Sequence, residues 1–293
     1  MKLVTFSQQG NTRIGILSDS AGSILDLSIA EPALPTTMVE FLSAGQPALT
    51  LAQAALTAAP AEALIPAGEA TLLAPIPRPG KLLCMGHNYI DHSATAPGSL
   101  PEYPNLFLKA SSAVIGSGQP VMISTASSKV DYEGEFCFVI GRTARNVPES
   151  QAMEYVAGYT ILNDVTARDF AGRVSQWMVG KSFDTFAPLG PALVTKDEVP
   201  DPHRLELILT VNGEERQRSN TGNTIFSIPF LIAYLSQAMT LEPGDVVSTG
   251  TPSGSGAGKN PPLFLKPGDV VIVKVEKVGE LVSPFAAANS SIP

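Results

Sequence analysis

The 293-residue sequence contains only two cysteines and one tryptophan. Cys84 and Cys137 lack the spacing of a metal site or a redox pair, so we predict buried, reduced thiols and a cytoplasmic location. Long apolar runs are also missing, which excludes a membrane-spanning helix. The N-terminal segment Met1–Phe6 has the pattern of a strand and lacks the charged-then-apolar plan of a signal peptide.

Basic clusters are equally scarce. The chain has 19 Lys and Arg against 27 Asp and Glu, which gives a formal net charge of −8. A nucleic-acid partner is therefore excluded, because no dense group of cations could follow a phosphate backbone. Glycine and proline are abundant instead, with 25 of each, and this composition predicts many turns and short strands.

The first part of the chain has the pattern of a small α+β unit. We predict strands over Leu3–Phe6, Arg13–Leu17 and Ile24–Leu27. Helices are predicted near Thr37–Ala44 and Pro47–Ala58, with Gly45 as the stop between them. A proline-rich connector follows over residues 60–79 and marks a domain boundary. We predict an N-terminal domain over residues 1–75, a catalytic domain over 76–285 and a disordered tail over 286–293.

The second part is predicted to be rich in short strands. Asn212-Gly213 is a hairpin signal, a helix is predicted over Glu149–Ala157, and another begins after Ser227 as N-cap. The predicted strands are Lys81–Met85, Leu205–Val211, Val246–Ser248 and Val270–Glu276. This pattern favours a β-rich barrel or roll, so the fold class is α+β.

Two carboxylates lie two residues apart in the segment Asp131–Glu135. On a strand, Glu133 and Glu135 would point to one face, where they repel each other unless a cation lies between them. Oxygen ligands of this kind suit Mg²⁺, Mn²⁺ or Ca²⁺. Asp164, at the end of an apolar stretch, is the candidate third ligand. The alternatives are a solvated strand face for the two glutamates and a turn cap for Asp164.

Five motifs in order carry a family resemblance. The chain resembles the fumarylacetoacetate hydrolase family in its two-domain form, and Thr36–Met38 is similar to the oxaloacetate tautomerase branch. The matching stretches are Gly86–His92, Val130–Glu135, Asn163–Asp169, Gly180–Phe186 and Ser248–Pro252. The resemblance implies a catalytic domain built as a mixed β-sandwich roll, a homodimer, and a divalent metal held by Glu133, Glu135 and Asp164.

The same resemblance implies roles for residues around the metal. Lys181 would lie near the substrate, as holder of its carboxylate or enolate or as proton shuttle. Arg168 would grip a substrate carboxylate, or else form a structural ion pair with Asp169 or another acid. Thr251 would contact a substrate oxygen, or else form a plain turn. Tyr89 and Gly250, in the matched stretches, complete the predicted substrate-binding residues.

His92 corresponds to the histidine that the family uses as a general base. The family pairs it with a glutamate three residues later, but this chain has Thr95 there, and a threonine cannot stabilise an imidazolium as a carboxylate does. Ala171 stands where the family often has glutamine. Of the other histidines, we expect His87 to pack behind the site and His203 to lie in a surface turn.

These residues predict an enzyme that acts on a small 2-oxo or 2,4-diketo carboxylic acid. C–C bond hydrolysis of an acylpyruvate is the first expectation. Thr95 favours the alternative of a tautomerase, isomerase or decarboxylase of oxaloacetate-like acids, because these reactions need no attacking water. A third alternative is a protein that binds metal and ligand without catalysis.

Overall fold

A computed structural model of the chain describes residues 1–18, 22–93 and 100–288. Within these ranges it contains nineteen strands and seven α-helices. The strands are β1 Lys2–Gln8, β2 Asn11–Ser18, β3 Ser23–Asp26, β4 Leu64–Pro66, β5 Thr71–Leu72, β6 Leu82–Gly86, β7 Asn105–Leu108, β8 Val114–Ile115, β9 Val121–Ile123, β10 Val130–Asp131, β11 Gly134–Ile140, β12 Val156–Asn163, β13 Thr166–Ala167, β14 Ala187–Thr195, β15 Glu206–Val211, β16 Glu214–Asn220, β17 Val246–Ser248, β18 Val270–Val275 and β19 Gly279–Ala287. The helices are α1 Leu27–Ala30, α2 Met38–Ala44, α3 Gln46–Ala58, α4 Ile90–Ser93, α5 Arg168–Ala171, α6 Met178–Lys181 and α7 Ile228–Ala238.

The N-terminal strands and helices confirm the local predictions. Thr37 caps α2, because its hydroxyl oxygen accepts a hydrogen bond from the Glu40 amide at 3.3 Å. The Thr37 hydroxyl also donates to the Glu40 carboxylate at 2.8 Å. Gly45 has a φ of 65° and separates α2 from α3, as predicted. A glycine is favoured there because other residues seldom adopt positive φ.

One large sheet extends across the predicted domain boundary. Its strand order is β4-β3-β2-β1-β14-β12-β11-β17-β6-β7. In addition, β5 pairs with β1, and β8 pairs with β14. The join between the two parts is the antiparallel pair of β1 and β14, in which Lys2 faces Val194 and Leu3 faces Leu193. The N-terminal strands therefore extend the catalytic sheet, and the division at residue 75 remains a prediction.

A second sheet of five strands has the order β16-β15-β18-β19-β9. The predicted hairpin at Asn212-Gly213 is confirmed, since Val211 faces Glu214 across it. Buried side chains of both sheets and of α7 form one core cluster, which includes Phe136, Leu209 and Leu231. The fold is α+β, as predicted.

Three local predictions differ from the structure. Residues Glu149–Tyr155 form a 3₁₀ segment, and Val156 already belongs to β12 because it pairs with Ile140. Strand β11 begins at Gly134, so Glu133 lies just before it. The backbone amide of Gly134 donates to a side chain, Gln217 Oε1, at 2.9 Å. The last strand, β19, continues through Ala287, two residues into the predicted tail, and residues 289–293 lie outside the described ranges.

Candidate active site and metal centre

Three carboxylates meet at one buried point of the large sheet. Glu133, Glu135 and Asp164 each place an oxygen within 4.8 Å of the others. The backbone explains this meeting, because β11 and β12 are antiparallel neighbours and Gly134 faces Asn163. In addition, the Asp164 amide donates to the Glu133 carbonyl at 2.8 Å. The structure thus brings together the three side chains that the sequence assigned to a metal.

The two glutamates lie in opposite electrostatic environments. Burial raises the pKa of the Glu135 carboxyl, and the charges of Asp164 and Glu133 raise it further. Its described hydrogen-bond partner is the Ser248 hydroxyl, which donates to Oε2. Burial acts on Glu133 in the same direction, but Arg168 and Lys181 outweigh it and hold the pKa of Glu133 well below its usual range. Glu135 is therefore the carboxylate that most lacks a cation.

Lys181 lies between two members of the triad. Its Nζ donates to Glu133 Oε2 at 2.5 Å and also to Asp164 Oδ2. The same nitrogen lies 4.8 Å from the centre of the Phe107 ring. Burial opposes its charge, but Asp164 and Glu133 outweigh burial and raise the pKa of Lys181 above its ordinary value. Lys181 is therefore a fixed cation near neutral pH.

Arg168 forms the structural ion pairs that were one of its two predicted roles. Its Nε donates to Asp131 Oδ2 at 2.8 Å and its Nη2 to Glu133 Oε1 at 2.6 Å. The partner is Asp131, whereas Asp169 binds Ser127 and Ser128. The short pair of β10 and β13 explains this choice, because it places Asp131 opposite Thr166, near Arg168. About a quarter of the Arg168 side chain, 26%, is still exposed.

The charge balance of the site fits a divalent cation. Three cations contact the acidic groups, and four acids are present, so the described site has one excess negative charge when all four acids are ionised. The cations are Lys109, Arg168 and Lys181; the acids are Asp131, Glu133, Glu135 and Asp164. Buried carboxylates are stable only with such compensation, and their oxygens match the preference of Mg²⁺, Mn²⁺ or Ca²⁺. A divalent ion would leave the site net positive, which suits an anionic ligand.

A cavity of about 260 Å³ opens beside the triad. Lys181, Arg168, His92 and Thr251 line it, together with the two glutamates. The complete lining is Met85, Gly86, His87, His92, Phe107, Glu133, Glu135, Arg168, Ala171, Gly172, Trp177, Lys181 and Thr251. The expectation that His87 packs behind the site is wrong, because this exposed side chain lines the cavity. Its ring stacks on the ring of His92, with the two ring centres 5.7 Å apart.

Tyr89 and Gly250 do not line the described cavity. Tyr89 is fully buried, and burial raises the pKa of its phenol. Gly250 has a φ of 91°, and a Cβ there would lie 2.8 Å from the Met85 carbonyl oxygen. Gly250 therefore lies against the wall residue Met85, and the role of both residues in substrate binding remains a prediction. Thr95 lies outside the described residues.

Sequence reasoning missed Lys109 and Trp177. The Nζ of Lys109 donates to Asp164 Oδ1 at 2.6 Å, to the Val165 carbonyl at 3.1 Å and to the Lys181 carbonyl. A lysine directly after the apolar run Leu106–Leu108 was the available signal. The ring of Trp177 lies edge-on to the rings of His87 and Phe107, with centre-to-centre distances of 5.5 Å and 5.6 Å. Trp177 therefore forms an aromatic wall of the cavity.

Comparison with known proteins identifies the family. Residues 81–286 match the family model described as fumarylacetoacetate (FAA) hydrolase C-terminal. The chain belongs to the fumarylacetoacetate hydrolase family. Members of this family are enzymes, so the alternative of a binding protein without catalysis is not supported. The family match contains every residue that we have placed at the triad and around the cavity.

Relatives extend the likeness to nearly the whole chain. Oxaloacetate tautomerase fahd2, mitochondrial, from Xenopus laevis is 43% identical over 288 residues, which are 97% of this chain and 90% of the relative. Fumarylacetoacetate hydrolase from the psychrophile Exiguobacterium antarcticum has 35% identity and a TM-score of 0.85, with 98% of this chain and 100% of that chain covered. Maleylpyruvate hydrolase from Sphingobium sp. SYK-6, solved with manganese(II) and pyruvate, has 30% identity and a TM-score of 0.83. The alignment covers 99% of this chain and 100% of that chain.

Two observations bear on the cellular setting. No helix in the described ranges is long and apolar enough to cross a bilayer. The Xenopus relative is named mitochondrial, so the cytoplasmic location of this chain remains a prediction. The homodimer also remains a prediction.

Proposed function

We propose that this family enzyme catalyses keto–enol tautomerisation of a small 2-oxo dicarboxylic acid of the oxaloacetate type. The observation that carries the proposal is Lys181, a buried cation that touches two carboxylates of the triad and lines the cavity. The 43% identity to an oxaloacetate tautomerase over 97% of the chain supports this reaction over the hydrolysis that we expected first.

Glu133, Glu135 and Asp164 would hold a divalent cation, and Mg²⁺, Mn²⁺ and Ca²⁺ all suit their oxygens. The manganese in the maleylpyruvate hydrolase structure supports this class of ion. When bound, the cation supplies positive charge that stabilises the negative charge of a 2-oxo acid as it enolises. Every other part of the reaction falls to side chains of the chain itself.

Lys181 and His92 have separate tasks in the proposed reaction. The reaction moves one proton from C3 of the keto acid to its O2 and consumes no water. Lys181 keeps its charge and donates a hydrogen bond to the oxygen on which charge develops. His92, in the cavity wall, carries the proton between carbon and oxygen. Arg168 holds Glu133 and Asp131 in place.

A second candidate is C–C bond hydrolysis of an acylpyruvate, and the position of His92 in the cavity favours it. There His92 would take a proton from water, and the hydroxide would add to the distal carbonyl. The bond between that carbon and C3 would then break to give a carboxylic acid and the enolate of pyruvate, and the enolate would take the proton from His92 at C3. Decarboxylation of oxaloacetate is a variant of the first proposal, because the same charge stabilisation would assist loss of CO₂.

One assay with two readouts separates these candidates. The Mn²⁺-loaded or Mg²⁺-loaded protein is given oxaloacetate and then acylpyruvates, while enol absorbance and pyruvate are followed together. The tautomerase predicts rapid enol loss from oxaloacetate without pyruvate. Stoichiometric pyruvate from an acylpyruvate would support hydrolysis instead, and pyruvate with CO₂ from oxaloacetate would indicate the decarboxylase.

Two variants test the division of tasks. Lys181→Ala should abolish measurable tautomerisation, because the site loses its fixed cation. His92→Ala should retain turnover, reduced by about 100-fold, because solvent can carry a proton but not replace that charge. Complete loss of turnover in both variants would argue against tautomerisation, since only hydrolysis depends on His92 to activate water.

A further inference from the structure

Gln217 lies behind the metal centre and belongs to a different sheet from the triad. It is on β16 in the five-stranded sheet, and only 2% of the residue is exposed. Its Oε1 accepts from the Gly134 amide at 2.9 Å. Its Nε2 donates to the Thr251 hydroxyl at 2.9 Å and to the Pro252 carbonyl at 2.8 Å. Both N–H groups of the amide and one lone pair of its oxygen are therefore used.

Gly134, between the two glutamates, allows this approach. A Cβ at Gly134 would lie 3.0 Å from Val273 Cγ1, 3.1 Å from Leu209 Cδ1 and 3.4 Å from Gln217 Oε1. The distances to Val273 and Leu209 are shorter than ordinary van der Waals contact, and the distance to Gln217 is an ordinary contact, so the second sheet packs against the bare backbone of the ligand segment. The glycine that separates Glu133 from Glu135 thus lets a buried amide reach the peptide that joins them.

Thr251 completes the connection. Its hydroxyl donates to the Gly134 carbonyl at 3.0 Å and accepts from Gln217 at the same time. The hydroxyl proton is therefore committed to the protein, although Thr251 lines the cavity. Gln217 and Thr251 together bind both the amide and the carbonyl of Gly134, the residue next to two metal ligands.

We infer that Gln217 is a positioning residue that fixes the spacing of Glu133 and Glu135 for a divalent cation and holds Thr251 in the cavity wall. The inference rests on the proposed metal site but not on which reaction follows. A buried amide with three partners restricts the rotation of the segment, whereas an apolar side chain of the same length would leave the Gly134 amide without an acceptor. Such supporting hydrogen bonds affect metal affinity by about 10- to 100-fold.

The test is the affinity of the full chain for Mn²⁺ alone, measured from the EPR signal of the free ion. Gln217→Met keeps the length of the side chain and removes its hydrogen bonds. We expect the dissociation constant for Mn²⁺ to rise by about tenfold or more. Gln119→Met is the matched control, because Gln119 Oε1 accepts from the Gly116 amide at 2.6 Å in a loop that does not line the cavity. Its dissociation constant should stay at the wild-type value.

A purely structural role would give a different result. In that case Gln217→Met would lower Tm but bind Mn²⁺ with wild-type affinity at a temperature where it is folded, and the inference would be overturned. If Gln217→Met does not fold, Thr251→Val decides, since it removes the hydroxyl between Gln217 and Gly134. Weaker Mn²⁺ binding in Thr251→Val but not in Thr251→Ser supports the inference, and unchanged binding in both refutes it.

The outcome is independent of the proposed tautomerase reaction. Mn²⁺ binding is measured without substrate, so a protein that fails to tautomerise oxaloacetate would still show the difference between Gln217→Met and Gln119→Met. Conversely, the wild type could tautomerise oxaloacetate while Gln217→Met and Gln119→Met bind Mn²⁺ with equal affinity. That result would support the proposed function and overturn the inference about Gln217. A wild type that binds no Mn²⁺ would overturn the inference together with the metal site.

Discussion

Lys109 donates a hydrogen bond to Asp164 over 2.6 Å, and neither side chain exposes any surface. Burial lowers the pKa of Lys109, and the nearby charge of Lys181 lowers it further, whereas Asp164 opposes both effects. Because Lys181 binds the other oxygen of Asp164, the two lysines hold the carboxylate from both sides. Asp164, like Glu133, is therefore held by cationic side chains at both carboxylate oxygens, whereas the described partner of Glu135 is the neutral Ser248 hydroxyl.

The first prediction concerns the stability conferred by this pair. Lys109→Met should lower the free energy of unfolding of metal-free protein by about 3–5 kcal/mol, because it leaves a buried carboxylate with one cation fewer. Lys274→Met is the control: its partner Glu280 lies at 2.9 Å, but both side chains are more than half exposed. The free energy of unfolding of that variant should fall by less than about 1 kcal/mol. Urea denaturation of both proteins gives the comparison, and equal losses would contradict the special cost of burial.

The sequence predicted what depends on neighbouring residues. The strands at Leu3–Phe6 and Val246–Ser248 and the N-cap Ser227 are each specified by a few adjacent side chains, and the structure contains them. The spacing of Glu133 and Glu135 likewise indicated a cation site before any contact was known. Short-range patterns carry this information because turns, caps and strand periodicity are local properties.

What the sequence did not predict depends on contacts between distant segments. The pairing of Lys2 with Val194 joins residues from opposite halves of the chain, and no local pattern encodes it. The same holds for Lys109 at Asp164 and for Gln217 at Gly134. Arg168 shows the limit most clearly, because the adjacent Asp169 was its nearest acid in sequence, but the fold brings Asp131 and Glu133 to it.

The second prediction concerns pH and His203. This partly buried side chain accepts from the Ile228 amide at 3.4 Å, at the start of α7, and its own amide donates to Asp201 in the predicted turn. Burial lowers the pKa of His203 below its ordinary value of 6.5, although Asp201 opposes the shift. The unfolded chain therefore binds a proton more readily than the folded one. The stabilising contribution of neutral His203 is complete above pH 6.5 and is lost as the pH falls through its folded pKa.

His203→Gln isolates this effect, because glutamine does not titrate. Its free energy of unfolding should fall less than that of the wild type between about pH 7.5 and about pH 5. Urea denaturation at several pH values measures both curves, and the remaining histidines contribute equally to the two proteins. Parallel curves would show that His203 has the same pKa in the folded and unfolded states.

The third prediction concerns the size of the substrate. Ala171 lines the cavity beside Gly172, and a Cβ on Gly180 would lie only 2.4 Å from the Ala171 amide, so α5 and α6 already pack closely there. A longer side chain at position 171 has little room to turn away from the cavity. Ala171→Gln should therefore reduce kcat/KM for bulky 2-oxo acids by about tenfold or more and leave oxaloacetate much less affected.

Val174→Gln is the matched control for this substitution. Val174 follows α5 closely in sequence, but 62% of it is exposed and it does not line the cavity. The measurement is kcat/KM over a series of 2-oxo acids of increasing size with wild type and both variants. Only Ala171→Gln should show a penalty that grows with substrate size, because only that side chain occupies space in the cavity. Equal relative rates across the series would mean that substrate bulk points away from α5, toward Trp177 and Phe107 on the aromatic wall.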